Sequence, residues 1–339
     1  MQRTKSKILS ILLSLVMLLS LLPTTALAAS PTYVTVYNEN NKLISLSDGQ
    51  CLTANDAENA TSYTSGAYVA RYDSGTLTLN GYDGGKIVLD GTTPVDLTIK
   101  LIGDNKITVN GATATGIYVI SQKSNITITA DDSSSGTLTI NAESGSGGAV
   151  GIGNSIATGS ESGNVTIKGH ADVKINATTL FKNGNSWGIY AGKVGIEENA
   201  KVAITVKAAN NTGNGLVYGI YAKGDVTINT AGEIMVDASK AGTGSKAYSI
   251  GVKSERNLIL TKVGGMTVKW NDEAHIGCYP LSPYKEFNST AYNNHVDTTN
   301  CVATYTPKVS ATVGDVTIAG KTGAEIIAAE VKITLTNDT

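Results

Sequence analysis

The sequence predicts an all-β chain wound as a right-handed parallel β-helix, with three short strands per coil of about 31 residues. Three observations carry that expectation. Four- and five-residue runs such as "LTIK" at Leu97, "ITITA" at Ile126 and "VTIN" at Val226 alternate apolar with polar residues, the period of a half-buried strand. "GIYA" at Gly188 returns 31 residues later at Gly219, with related text at Thr115 ("TGIYV"), Ala149 ("AVGIG") and Tyr248 ("YSIGV"). A three-strand unit of this size cannot bury its own apolar side chains, so its copies must stack on one another.

The elements follow in order. Residues 1–28 have the form of a secretory signal peptide. Arg3, Lys5 and Lys7 precede the apolar run Ile8 to Leu22, and Ala26-Leu27-Ala28 supplies the cleavage site. The run is shorter than the ~20 residues that span a bilayer, and no second one follows, so no membrane-spanning segment is expected after cleavage. Removing the three leading charges from the 26 basic residues leaves 23 against 28 acidic ones, and the net charge moves from −2 to −5. Only Arg71 and Arg256 remain as arginines. Such a chain lacks the clustered cations that phosphate binding needs, so nucleic acid is excluded as a partner.

Residues 29–76 are less regular, and "YVTVYNENNKLISL" reads as a hairpin capping the first coil, because a bare strand edge invites association. Residues 77–270 hold the repeat, in six or seven coils, with Ile117, Ile152, Ile189, Ile220 and Ile250 expected in one internal column. Residues 271–308 lose the repeat and gather tyrosines, prolines and two cysteines, as a C-terminal cap and linker would. Residues 309–339 read as the start of an Ig-like β module that breaks off in mid-pattern at Thr339. The chain is therefore taken as a fragment, with any wall anchor beyond it. Export permits a disulfide, and Cys278 with Cys301 is the expected pair, which leaves Cys51 free. The lone His275-x-x-Cys278 spacing does not make a zinc site.

The coils resemble the pectate-lyase-like β-helix superfamily. More narrowly, "GIYA" followed by "GDVTI" is similar to secreted surface proteins of Gram-positive bacteria described as carbohydrate-binding. That resemblance implies an extracellular or cell-wall-associated monomer whose partner is a polysaccharide or cell-surface glycan. It also raises catalysis, since related helices cut acidic polysaccharides. The hydrolases use several Asp residues, a Gly-His-Gly and an Arg-x-Lys. Here Asp131-Asp132 sits in the turn-like "ADDSSSG", Ala171 follows Gly169-His170, and there is no Arg-x-Lys. The lyases place an Arg or Lys base beside carboxylate-held calcium, yet neither Arg71 nor Arg256 lies beside an acidic cluster. No enzyme and no obligatory cofactor are expected, and a polysaccharide lyase or glycoside hydrolase stands as an alternative. Calcium held without catalysis by Asp104, Asp131 or Asp132 stays open.

The candidate binding residues come from strand parity. If Ile189 and Ile220 point inward, Tyr190 and Tyr221 point outward one above the other, and Tyr118 belongs to the same column. Two such rings could carry sugar rings, or could form a stacked ladder that only stabilises the coil. Lys193 and Lys223 follow the two Gly-Ile-Tyr elements and would receive an acidic glycan. Trp187 and Tyr218 share the parity of the isoleucines and are expected in the core or at a corner. The reading is a secreted, non-catalytic carbohydrate-binding surface module, with a stalk or adhesin for a protein partner as the alternative.

Overall fold

A computed structural model describes residues 30–89, 95–119, 124–131, 136–153, 163–209, 215–240, 248–256 and 258–270, together with short strands beyond residue 278. No helix occurs among the described residues. The chain winds through three parallel ladders, and each coil gives one strand to each. The first ladder stacks Ile87–Leu89, Ala114–Val119, Ala149–Gly153, Ser186–Ala191, Leu216–Ala222 and Tyr248–Ser254. The second stacks Thr76–Asn80, Asp96–Ile102, Asn125–Ala130, Asn164–Gly169 and Val194–Glu198. The third stacks Asp83–Gly84, Asp104–Gly111, Thr137–Ser144, Asp172–Thr179 and Lys201–Ala208. In the last coils Val226–Lys240 and Leu258–Trp270 each run through the second and third ladders, with register shifts where they round the corner. The expected parallel β-helix with three strands per coil is therefore the fold.

Period-2 alternation puts the core where it was expected. Ile126 and Ile128, Leu138 and Ile140, and Val173 and Ile175 are buried, while Thr127, Thr139 and Lys174 between them are not. The first-ladder column runs Ile87, Ile117, Ile152, Ile189, Ile220. Its next member is Val252, since Val252 pairs with Ile220 and Ile250 pairs with Tyr218. Placing Ile250 in this column is thus corrected by two residues. The true register mark is the glycine before each column member: Gly116, Gly151, Gly188, Gly219 and Gly251.

A Cβ on Gly116, Gly151, Gly188 or Gly219 would lie 2.1–2.3 Å from a methyl of Ile140, Ile175, Ile204 or Val236, and 2.4–2.7 Å from the next glycine's carbonyl oxygen. The first ladder crosses the third at this point with no room for a side chain. Glycine and the following isoleucine therefore both face inward, and the strand's alternation breaks once per coil, as at a bulge. Buried hydroxyls tie successive coils together near the corners. Ser144 donates to the carbonyl of Ala112 at 2.6 Å, Thr179 to Gly147 at 2.7 Å, Thr230 to Ala200 at 2.8 Å and Ser254 to Gly224 at 2.7 Å. Each satisfies the hydroxyl of a fully buried residue, which would otherwise be costly to leave unpaired.

At the N-terminal end a hairpin, Tyr33–Tyr37 with Leu43–Ser47, lies antiparallel on Ile87–Leu89. A short meander of Gln50–Leu52, Ala70–Asp73 and Thr76–Asn80 completes the cover. Val34, Val36, Leu46, Leu52, Tyr72 and Tyr82 fill its core. Tyr82 donates its hydroxyl to the carbonyl of Tyr37, and a second bond reaches Gly85 at 3.2 Å. Cys51 is buried here, 3.6 Å from the Thr61 hydroxyl. Cys278 and Cys301 lie outside the described residues. Towards the C-terminal end Ala329–Thr336 pairs antiparallel with Leu258–Trp270.

Candidate functional site

The break at each glycine decides what the outer face of the first ladder carries. With glycine and isoleucine both inward, the residues flanking them both point out. Two outer columns result. One runs Thr115, Val150, Trp187, Tyr218, Ile250, and the other runs Tyr118, Gly153, Tyr190, Tyr221, Lys253. Trp187 and Tyr218, expected in the core or at a corner, are buried, but in a second apolar cluster with Val150, Tyr190 and Ile250 on the outer side of the ladder. Strict alternation was the wrong rule across Gly188 and Gly219.

The rings in this cluster are packed on one another. Trp187 and Tyr218 stack with planes 9° apart and centroids at 6.1 Å, and Tyr218 stacks on Tyr221 at 5.2 Å. Trp187 meets Tyr190 edge-on at 6.3 Å, and Tyr190 meets Tyr221 at 5.2 Å. The Lys253 ammonium sits 5.0 Å from the Tyr221 ring and 5.5 Å from Tyr218, and Tyr221 donates its hydroxyl to the Glu255 carboxylate. Tyr190 points outward as parity required, yet it is only 6% exposed and offers almost no face to a ligand. Tyr221 and Tyr118 are half-buried. Gly153 stands between Tyr118 and Tyr190 and interrupts the column.

The two lysines occupy the turns from the first to the second ladder. Lys193 is exposed, with its ammonium 3.8 Å from the Asp225 carboxylate, and Lys223 is half-buried. These turns leave the opposite end of the strand from the glycine-rich turns that enter it.

Those entering turns build a cleft that sequence reasoning missed. Between the third and first ladders they lengthen coil by coil, from residues 112–113 to 145–148 to 180–185. They enclose a cleft of about 260 Å3 lined by Thr113, Thr115, Val150, Phe181, Asn183, Asn185 and Trp187. Phe181 is 43% exposed at its rim. Gly147 and Gly148 keep it open: a Cβ on Gly148 would lie 3.1 Å from the Trp187 ring, and one on Gly147 2.7 Å from the Ala112 carbonyl oxygen. Asn185 is held by accepting the Leu216 N–H at 3.0 Å. The available signal was "LFKNGNSW": it carries one of only two phenylalanines and lies in a coil stretched to 37 residues between Ile152 and Ile189.

Two further clefts adjoin this one towards the cap. Thr113 and Thr115 also line a cleft of about 270 Å3 with Tyr37, Asn41, Lys86, Asn110 and Tyr118. Asn41 and Asn110 in turn line a third, of about 340 Å3, with Asn38, Glu39, Asp83 and Lys106. Lys86 lies 4.7 Å over the Tyr37 ring, and Lys106 is 3.3 Å from Asp83.

The residues weighed for catalysis or calcium lie elsewhere and have local partners. Asp131 forms an ion pair with Lys100 at 2.6 Å, and Asp104 accepts the Thr137 hydroxyl at 2.7 Å. His170 lies 3.3 Å from the Asn199 amide. Arg71 pairs with Asp73 at 2.6 Å and stacks on Tyr63 at 4.1 Å. Asp132 lies outside the described residues. Among the described residues no three His, Cys, Asp or Glu side chains gather as a metal site, and no helix is long and apolar enough to cross a membrane.

The chain matches no family model, and neither curated proteins nor solved structures include one similar to it.

Proposed function

We propose that this protein is a secreted, non-catalytic carbohydrate-binding module that holds a polysaccharide at the cell surface. The observation that carries this reading is the cleft where the exposed ring of Phe181 stands beside Asn183, Asn185, Thr113 and Thr115, with the buried Trp187 in its wall. An aromatic ring offers an apolar face to a sugar, and amides and hydroxyls bond its hydroxyl groups; this is the mixed lining of a small-molecule site. Asp131 and Asp104, already bonded to Lys100 and Thr137, support a binding role over a cleaving one. Secretion rests on the form of residues 1–28.

The test is retention of the mature chain on immobilised neutral and acidic polysaccharides, comparing the parent with Phe181→Ala. Retention by the parent and its loss in the variant, with an unchanged β-rich circular dichroism spectrum, supports the reading. Failure of the parent on a broad glycan panel leaves the stalk or adhesin reading in its place. Release of soluble sugar products would make the protein an enzyme.

A further inference from the structure

The three clefts are linked through shared residues: Thr113 and Thr115 join the first pair, and Asn41 and Asn110 join the second. We infer that they form one groove, N-terminal cap included, that receives a single extended strand of uncharged polysaccharide running along the helix axis. This inference rests on the carbohydrate-binding reading above.

Length is the first argument. From the Tyr37 strand to the Trp187 strand the ladder takes four steps, through Ile87–Leu89, Ala114–Val119 and Ala149–Gly153. At ~4.8 Å per step the groove is about 19 Å long, room for about four rings of an extended glycan. Successive coils therefore meet successive sugars. Aromatic residues with exposed or half-buried rings recur along this line as Tyr37, Tyr118 and Phe181, with Asn41 and Asn110 lining the cleft of the first two and Asn183 and Asn185 that of the third.

Charge is the second argument. Lys86 and Lys106 line the groove, and so do Glu39 and Asp83, so its lining is balanced. Lys106 is paired with Asp83, and Lys86 is applied to the Tyr37 ring. A polyanionic glycan would need an excess of cations to offset its self-repulsion and desolvation, and the mature chain is net acidic. A neutral chain carries no such demand, and its binding is insensitive to salt. The acidic glycan expected at Lys193 and Lys223 does not meet this groove.

The experiment measures binding of cello-, xylo- and manno-oligosaccharides of increasing length by calorimetry, with oligogalacturonates as the acidic comparison. Affinity of the parent for at least one neutral series should rise with each added ring and level off at about four, unchanged between low and high salt. Phe181→Ala should weaken every length about tenfold. Asn110→Ala, exposed and nearer the cap, should weaken the long oligosaccharides and leave the shortest untouched. If Asn110→Ala binds long chains as the parent does while Phe181→Ala fails, the Trp187 cleft stands alone and the single groove is overturned, though carbohydrate binding survives. Tighter, salt-sensitive binding of oligogalacturonates overturns the neutral ligand. No binding by the parent in any series overturns both readings together.

Discussion

Gly188 lies directly against Ile204: a Cβ on the glycine would come within 2.3 Å of the isoleucine Cγ2 and 2.5 Å of the Gly219 carbonyl oxygen. Neither neighbour can yield easily, since one is fully buried and the other is backbone. Gly188→Ala should therefore destabilise the helix by about 1–3 kcal/mol through overpacking. The comparison is Gly265→Ala, where an added Cβ meets nothing within 4 Å, and whose denaturation midpoint should stay within a few tenths of a kcal/mol of the parent. Equal midpoints for the two variants would remove the steric account of the glycine column.

Ile220 sits one coil along from Ile189 in the internal column and is fully buried. Ile220→Asp places an unpaired carboxylate among apolar side chains and should cost several kcal/mol, visible as loss of cooperative unfolding or of soluble yield. Met235→Asp is the control on the same coil. Met235 is 40% exposed, and its replacement should leave the chain folded. A folded, cooperative Ile220→Asp variant would contradict the column.

How much of this was legible in the sequence depends on the length scale of the physics. Alternation in "ITITA" or "VTIK" is a property of neighbouring residues, so the strands at Ile126 and Val165 could be read directly. Stacking followed from the repeat, because no single coil can bury Ile189. The register at Ile250 could not be read from the motif "SIG": the mark is the lack of room for a Cβ on Gly219 beside Val236, a residue on a different ladder. The outward direction of the buried Trp187 was hidden for the same reason, since strict parity ignores a bulge that only packing reveals. The groove was least legible. It depends on the relative lengths of turns in successive coils, and nothing local to Phe181 or Asn110 says that their clefts adjoin.

Tyr82 links stability to alkaline pH. Burial raises its phenol pKa well above the ordinary value of 10.0; the bond to the Tyr37 carbonyl pulls in the opposite direction, and Asp83 adds to the rise. A raised pKa means that the folded state prefers the neutral phenol. Its contribution is complete below the unfolded value near 10 and is lost as pH climbs above it. The parent should thus lose stability above about pH 10. Tyr82→Phe should be less stable at neutral pH by about 1–2 kcal/mol, because two carbonyls lose their donor, and its stability should fall less steeply with alkali. Parallel pH profiles would exclude Tyr82 as the group responsible.

Chelation tests the aspartates. Asp131 is bonded to Lys100 and Asp104 to Thr137, so removing divalent ions should not alter the unfolding midpoint or retention on a glycan matrix. Calcium that raises the midpoint in proportion to the logarithm of its concentration would reveal a bound ion by linkage and would overturn that expectation.

The outer aromatic cluster and the groove make separable contributions. Tyr190 is 6% exposed and held between Trp187 and Tyr221, so its ring serves the coil. Tyr190→Ala removes buried aromatic area and leaves a gap in the cluster, for a loss of about 3 kcal/mol or more. Retention on a polysaccharide matrix should persist as long as the variant is folded. Phe181→Ala takes away a ring that is 43% exposed on a turn, so stability should change by less than about 1 kcal/mol while retention falls. Each variant is measured for both unfolding and retention, which prevents a folding defect from passing as a binding defect. If retention instead fails in a stably folded Tyr190→Ala and persists in Phe181→Ala, sugars stack on the tyrosine column after all, and the cleft at Trp187 is only a seam between turns.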